Sequence, residues 1–328
     1  MTDQYDLIAP KFRSRKAFVK AMDKAATSIL ERGDVERNNQ RVSIFVDGAD
    51  VSHNSFITAL VSFGSNTHPN KYLLSADCLK DNQWNLQAYL NTWLRLFISY
   101  QIDFYNFEKI YRERGCSSKG SIGLPQSIGD FVSMIAIFGN RSLFENAVNF
   151  ALDLFDRRLV GGDITYLTQL FIMRIAENFL GLSERNWSGD PYWGVDPRAD
   201  EPLFAELWRH WDAEDTTELE PLLIQLLNRH TFEASRKNKY GDHDFEGHSE
   251  QFPMELFFLY RLREWRGLKN PVIKHRLTEP PFDALPKPME ELVFDEQSIA
   301  FVKKVREVFP NFNEVVNNAK IRDWKMLL

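Results

Sequence analysis

One segment, residues 252–288, constrains the fold of this chain more than any other part of the sequence. Within it, residues 254–265 are apolar on almost every side of a helical wheel, which is typical of a helix buried on all faces. Pro253 suits the first turn of a helix, and Gly267 suits the left-handed residue that ends one. Three arginines in the last turns complement the helix dipole: Arg261, Arg263 and Arg266. The sequence therefore predicts a central helix around which the rest of the chain packs.

The residues after this helix predict an extended segment. Four prolines stand between positions 280 and 288, where they alternate with Phe282 and Leu285. Proline removes a backbone donor and fixes φ, so this stretch cannot continue the helix. Its apolar side chains need a surface that covers them. We therefore expect a strap that lies across other helices.

The same segment resembles a family of known proteins. The proline-started helix, its arginine-rich exit, Gly267-Leu268 and the trailing proline-rich stretch are similar to the later half of all-helical bacterial immunity proteins. These proteins belong to polymorphic toxin systems and form the forty-ninth immunity family. The resemblance extends over residues 84–290 and does not cover the first 70 or so. It implies an all-helical fold and a non-catalytic protein that binds and neutralises a cognate toxin.

Length and composition agree with a mostly α fold. A chain of 328 residues, of which 44% are hydrophobic, is long enough for one large helical domain or two smaller ones. We expect an N-terminal helical segment at 1–75 and a main helical domain at 76–328, with one continuous domain as the alternative. The predicted architecture is a bundle or short α-solenoid of roughly 11 to 13 antiparallel helices.

Helical periodicity and short turns predict most of these helices along the chain. The periodic stretches are 14–32, 51–63, 84–107, 128–138, 143–155, 164–180, 202–211, 222–227 and 295–309. The residues expected to cap helices are Asp81, Ser142, Thr217 and Asp295. Trp324 is expected to dock the C-terminus.

Residues 42–46 leave two alternatives open. Val42, Ile44 and Val46 alternate, which favours a short strand followed by a turn at Asp47-Gly48. A continuous helix that tolerates Gly48 fits the same residues.

The strand alternative carries a functional consequence. Residues 45–51 would then resemble the first strand of NYN and PIN-like nucleases, in which an aspartate after an apolar strand binds a catalytic metal. Residues 240–245 are similar to the Gly-Asp-x-Asp-Phe corner of that fold. This resemblance implies a metal-dependent nuclease that uses Asp47, Asp242 and Asp244. Against it, the residues before position 240 are too polar for a buried strand.

No stretch of the sequence carries a recognisable catalytic or cofactor motif. Metal-ligating residue types gather at 242–248, but His243 and His248 are five positions apart, which misses the i, i+4 face of helical zinc sites. The sequence also lacks a nucleophile elbow and a glycine-rich phosphate loop. We therefore expect no catalytic residue, no metal and no cofactor.

Charge and targeting features predict a cytoplasmic protein with a protein partner. The net charge of −6 disfavours nucleic acid and anionic membranes as partners. Cys78 and Cys116 alone form no disulfide framework, and no apolar run is long enough to span a bilayer. Nothing in the sequence indicates the oligomeric state.

The expected partner is a cognate toxin, for which a basic nuclease domain fits the acidic balance of this chain. A generic α-helical scaffold or regulatory protein is the alternative binding role that the same residues leave open. Aromatic residues among acids, and a polar loop before the central helix, are the candidate contact surfaces. The candidate partner-binding residues are Trp187, Asp190, Tyr192, Trp193, Asp196, Asp200, Glu201, Asp242, His243, Asp244 and Glu246.

Overall fold

The computed structural model describes residues 9, 11–114, 128–156, 167–183, 201–235, 249–291, 293–309 and 311–312. Within these ranges the chain forms twelve α-helices and no strand, which confirms the predicted mostly α fold. The helices are α1 (Arg15–Glu31), α2 (Asp34–Val46), α3 (His53–Ser65), α4 (Thr67–Asp81), α5 (Leu86–Arg114), α6 (Ile128–Phe138), α7 (Arg141–Asp156), α8 (Leu167–Phe179), α9 (Pro202–His210), α10 (Leu219–Ser235), α11 (Met254–Trp265) and α12 (Glu296–Val308). None of the helices in the described ranges is long and apolar enough to cross a membrane.

Two helices without an exposed face form the centre of the bundle. All residues of α6 are buried, and nine of the twelve residues of α11 are buried. The two helices pack against each other, and α8 packs against both of them. Gly129 permits this close approach, because a Cβ atom there would lie 2.8 Å from the Cα atom of Gln169 on α8. The prediction of a buried central helix at 254–265 is confirmed.

The N-terminal helices pack as two pairs, and the C-terminal helix closes onto them. Helix α1 packs against α4, and α2 packs against α3. Helix α12 returns to α2 and α5, where the ring of Phe301 stacks on that of Phe63 at 4.6 Å between centroids. The predicted boundary between residues 75 and 76 falls inside α4.

The strand alternative at residues 42–46 is wrong, since these residues form the end of α2. Val42 and Phe45 are buried whereas Ile44 is 39% exposed. Burial therefore follows a spacing of three residues, as on a helix, and not the alternation of a strand. Asp47 consequently follows a helix, unlike the metal-binding aspartate of the nucleases that the segment resembles.

Two predicted caps are also wrong. In both cases the helix starts at a different residue from the predicted one. Asp81 ends α4, and Asn85 caps α5 by accepting a hydrogen bond from the Ala88 N–H (3.2 Å). Asn140, rather than Ser142, caps α7 through the Leu143 N–H (2.9 Å). The cap at Asp295 is confirmed by the Ser298 N–H (2.9 Å).

The arginines of α11 do more than complement its dipole. Arg263 has no exposed surface and donates to carbonyl oxygens of three residues outside the helix: Trp211 (2.6 Å), Ala213 (3.0 Å) and Lys269 (2.6 Å). Arg261 donates to the carbonyl oxygens of Ile137 (3.1 Å) and Pro286. The central helix therefore holds the connecting segments on both of its sides.

The proline-rich stretch forms the predicted strap, which we define as residues 268–291, between α11 and α12. The indole N–H of Trp84 donates to the carbonyl oxygen of Pro281 (3.1 Å). The N–H of Met289 donates to the carbonyl oxygen of Phe138, at the end of α6 (2.9 Å). Arg15 of α1 donates to the carbonyl oxygens of Pro280 and of Glu279. The strap thus joins α1, the turn before α5, α6 and α11.

Candidate functional site

An open groove lies between the turn that joins α4 to α5 and the strap. Its volume is about 630 Å³, within the range of roughly 300–1,000 Å³ that is usual for ligand-binding clefts. The residues that line it are Asp81, Gln83, Trp84, Asn85, Leu86, Gln87, Lys287, Pro288 and Met289.

The turn is fixed at both of its ends. Asn82 adopts a left-handed conformation (φ 52°), and the next backbone N–H, of Gln83, donates to the carbonyl oxygen of Cys78 (3.2 Å). This arrangement closes the last turn of α4. Because Asn85 caps α5 three residues later, the backbone of the turn is constrained at both ends. Gln83 is exposed while Trp84 points inward and is half-buried.

Trp84 forms a rigid floor for the groove. Its ring packs against five aromatic rings, with 5.2 to 6.1 Å between centroids. These rings belong to Phe282, Phe252, Phe138, Tyr89 and Phe257. Such edge and tilted contacts contribute beyond simple area burial. Together with the hydrogen bond to Pro281, they fix the orientation of the indole.

The opposite wall belongs to the strap and is held from behind. Lys287 and Pro288 lie between two bonded positions, the carbonyl oxygen of Pro286 and the N–H of Met289. The carbonyl oxygen of Glu290 accepts a further hydrogen bond from the Asn140 side chain (3.3 Å). The wall is therefore preformed, which lowers the entropic cost of binding.

Polar groups in this groove have bonding capacity that the described part of the chain does not use. The side chains of Asp81, Gln83 and Lys287 form no hydrogen bond or ion pair there. Asn85 uses only its carbonyl oxygen, as the cap of α5. A carboxylate, an ammonium group and two amides can together bind donors, acceptors and opposite charges on a ligand.

Metal-ligating and nucleophilic side chains are not gathered at this groove. In the ranges that the structure describes, no three His, Cys, Asp or Glu residues are grouped so that they could hold a metal ion. The nearby Cys78 is buried, and this burial raises the pKa of its thiol to about 12. The groove is thus equipped for hydrogen bonding and apolar contact.

A buried histidine and glutamate pair lies elsewhere in the bundle. His230 and Glu255 are both fully buried, with 2.8 Å between Nδ1 and Oε1. The Nε2 atom of His230 lies 3.0 Å from the carbonyl oxygen of Glu250, which can only accept, so Nε2 carries a proton. One further proton then lies between His230 Nδ1 and Glu255 Oε1, bonded to one of these two atoms. With no exposed surface, this pair cannot reach a substrate.

A second histidine is held neutral near this pair. Burial is the main cause that lowers the pKa of His275 to about 4, and the neighbouring Arg276 adds to it. Its Nδ1 atom accepts from the Leu277 N–H (3.1 Å), and its Nε2 atom therefore donates to Asn228 Oδ1 (3.1 Å). Both histidines stabilise the packing of α10 against the segments that follow it.

Of the predicted partner-binding residues, only Glu201 lies among the described residues. Its two carboxylate oxygens share the Nε–H of the buried Arg229 in a bifurcated hydrogen bond (3.0 and 2.9 Å), and the guanidinium also donates to Thr168 (3.0 Å). The charge of Glu201 is therefore used to join α9 to α10. The other predicted contacts, at 187–200 and 242–246, lie outside the described ranges, as do Cys116 and Trp324. The aspartates Asp242 and Asp244 of the nuclease alternative lie outside them as well.

The groove was not predicted from the sequence. Its available signal was the run Asn82-Gln83-Trp84-Asn85, in which two residues that favour caps and left-handed conformations flank a tryptophan. The interpretation of Asp81 as a helix start concealed this turn.

Comparison with known proteins identifies no relative of this chain. No family model, no curated protein and no solved structure matches it.

Proposed function

We propose that this chain is a non-catalytic immunity protein that binds a cognate bacterial toxin in the cytoplasm and neutralises it. The observation that carries the proposal is the groove between the α4–α5 turn and the strap. Its floor and walls are fixed, whereas three of its polar side chains, those of Asp81, Gln83 and Lys287, form no hydrogen bond or ion pair within the described part of the chain. A protein ligand would supply those partners without reorganising the site.

The internal bonding of the other ionisable groups supports a binding role. His230 and Glu255 bond to each other, and Arg263 bonds to backbone carbonyl groups. Each of these side chains is fully buried. Such groups stabilise the fold, so binding of a partner depends on side chains at the surface.

Charge supports a basic partner. The chain has a net charge of −6, and Asp81, Glu290 and Glu291 are exposed at or beside the groove. Toxin domains that cleave nucleic acid carry basic clefts, and an acidic inhibitor would be steered toward such a cleft. The resemblance of residues 84–290 to all-helical immunity proteins favours the same partner.

The first test is genetic. The gene adjacent to that of this protein is examined for a large secreted protein with a variable C-terminal domain, and that domain is expressed in cells with and without this chain. We expect growth only when both are present, together with co-purification of the two proteins. Equal killing in both cultures would refute the proposal for that pair.

A second test concerns the loops that the sequence predicts as contacts. Charge reversal at Asp190, Asp196, Asp242 and Asp244 is expected to abolish protection while the circular dichroism spectrum stays unchanged. Protection that survives these substitutions would leave the immunity role intact and remove the loops from the interface.

A further inference from the structure

We propose that the groove binds an extended, basic segment of the partner protein. This inference rests on the proposed function and adds the chemistry of the segment that is recognised. The occupant is a stretch of main chain that carries lysine or arginine side chains next to apolar ones.

The amide side chains of the turn favour a polypeptide main chain as the occupant. Gln83 offers a donor and an acceptor, and Asn85 keeps its N–H₂ group as a donor. A peptide unit presents the complementary pair, one N–H and one carbonyl. The groove is open to solvent, so that a chain can enter and leave it. Extended segments in fixed grooves are a recurring mode of peptide recognition.

The charges around the groove favour a basic segment. Asp81 is exposed and unpaired within the described residues, and it stands at the C-terminal, negative end of the α4 dipole. The nearest lysine along the helix, Lys80, is already engaged by Asp23 (2.6 Å) and by Asp77 (3.2 Å). Glu290 and Glu291 follow the groove wall directly and are exposed. The lining itself carries one anion, Asp81, and one cation, Lys287, so the acidic excess comes from Glu290 and Glu291 at the edge of the groove.

The apolar part of the groove favours side chains that alternate with the basic ones. Trp84, Leu86 and Met289 are half-buried, which leaves part of each surface open to a ligand. In an extended segment, successive side chains point to opposite sides. Every second side chain could then contact Trp84 and Met289 while the others reach Asp81.

The test uses the full chain and a labelled peptide. The probe is a short acetylated peptide that alternates lysine and leucine, and the matched control peptide alternates glutamate and leucine. Fluorescence anisotropy is expected to show binding of the lysine peptide alone, with affinity that falls as salt is added. Equal binding of both peptides, or of neither, would overturn the inference.

Variants locate the binding to the groove. Asp81→Lys is expected to weaken binding of the lysine peptide about tenfold, because an attraction is replaced by a repulsion. The substitution places a cation at a helix C-terminus, which favours the helix, so the fold is expected to persist. Asp283→Lys makes the same charge change at an exposed strap residue outside the groove lining. This control is expected to stay within about twofold of the unmodified protein.

The toxin assay separates this inference from the proposed function. Protection lost with Asp81→Lys and kept with Asp283→Lys would support both. If protection is kept with Asp81→Lys, the proposed function stands and the groove inference is overturned. If the lysine peptide binds in an Asp81-dependent way but no toxin is neutralised, the groove inference stands and the immunity role fails.

Discussion

Replacing Lys71 with methionine is expected to stabilise the protein at neutral pH. The ammonium group of Lys71, on α4, lies 4.2 Å from the centroid of the Trp93 ring. It forms no hydrogen bond or ion pair with the described part of the chain. Burial lowers the pKa of Lys71 to about 8, and the charge of Asp130 only partly opposes this effect. Methionine keeps a similar shape over the indole and removes the charge.

The magnitude follows from linkage between protonation and folding. The pKa falls from 10.5 in the unfolded chain to about 8 in the folded one, and each unit corresponds to about 1.4 kcal/mol. Between about pH 8 and pH 10.5 the unfolded chain therefore binds more protons than the folded chain. In that range the contribution of Lys71 to stability rises with pH. Retaining the charge costs up to about 3 kcal/mol at pH 7 and about 1.4 kcal/mol at pH 9.5. Because Lys71 keeps some exposed surface, we expect the cost at pH 7 to lie below this upper limit.

Urea unfolding at the two pH values measures this difference. The free energy of unfolding of Lys71→Met should exceed that of the unmodified protein at pH 7, and the excess should shrink by about 1–2 kcal/mol at pH 9.5. Lys80→Met is the control on the same helix. Lys80 is exposed and bonded to Asp23, which raises its pKa, so its loss should cost no more than about 1 kcal/mol. A Lys71→Met protein that is less stable than the parent at pH 7, or whose advantage does not change with pH, would refute the reasoning.

Substitutions at three further buried positions, Arg263, Glu255 and Gly129, test contacts of the core by chemical denaturation. Arg263→Met should cost about 3 kcal/mol because it leaves one buried and two part-buried carbonyl groups without a donor. Arg266→Met, at a partly exposed ion pair, should cost less than about 1 kcal/mol, and equal losses would contradict this account. Glu255→Gln should cost no more than about 1 kcal/mol of unfolding free energy, since its amide can donate to His230 Nδ1. Glu255→Leu should cost about 1–3 kcal/mol. A leucine variant that is more stable than the glutamine variant would exclude the proposed proton arrangement. Gly129→Ala should cost about 1–3 kcal/mol, because the new methyl group would meet backbone 2.8 Å away on α8; an unchanged midpoint would show that the two helices can separate freely.

Sequence patterns predicted the centre of the fold well and its junctions poorly. Helix α11 was predicted because its own apolar residues cover almost its whole circumference. Such a helix has to be buried, regardless of which elements pack against it. Helix α4 was missed, because few of its side chains are buried and its apolar residues do not form one stripe. The end of α2 was ambiguous for a related reason: Val42, Ile44 and Val46 fit both periods, and only packing of Phe45 against Phe56 and Phe301 decides between them.

The groove could not be predicted because it depends on contacts between distant segments. The strap was expected to cross other helices, but the sequence does not show which ones. Trp84 and Pro281 meet although 197 residues separate them in the chain. Local patterns contain no information on such a pairing. The same limit applies to Arg261 and Arg263, whose acceptors belong to other segments.

The position of the strap in the sequence has a consequence for synthesis of the protein in the cell. Trp84 leaves the ribosome long before Pro281, which at ~5–20 residues per second corresponds to a delay of roughly 10–40 s. For most of this interval the aromatic residues that meet at Trp84 lack Phe252, Phe257 and Phe282. A nascent chain that displays Trp84, Tyr89 and Phe138 without their cover is a substrate for chaperones and a risk for aggregation. Ribosome-bound chains that end before the strap should therefore be held by chaperones, and chains that include it should be released.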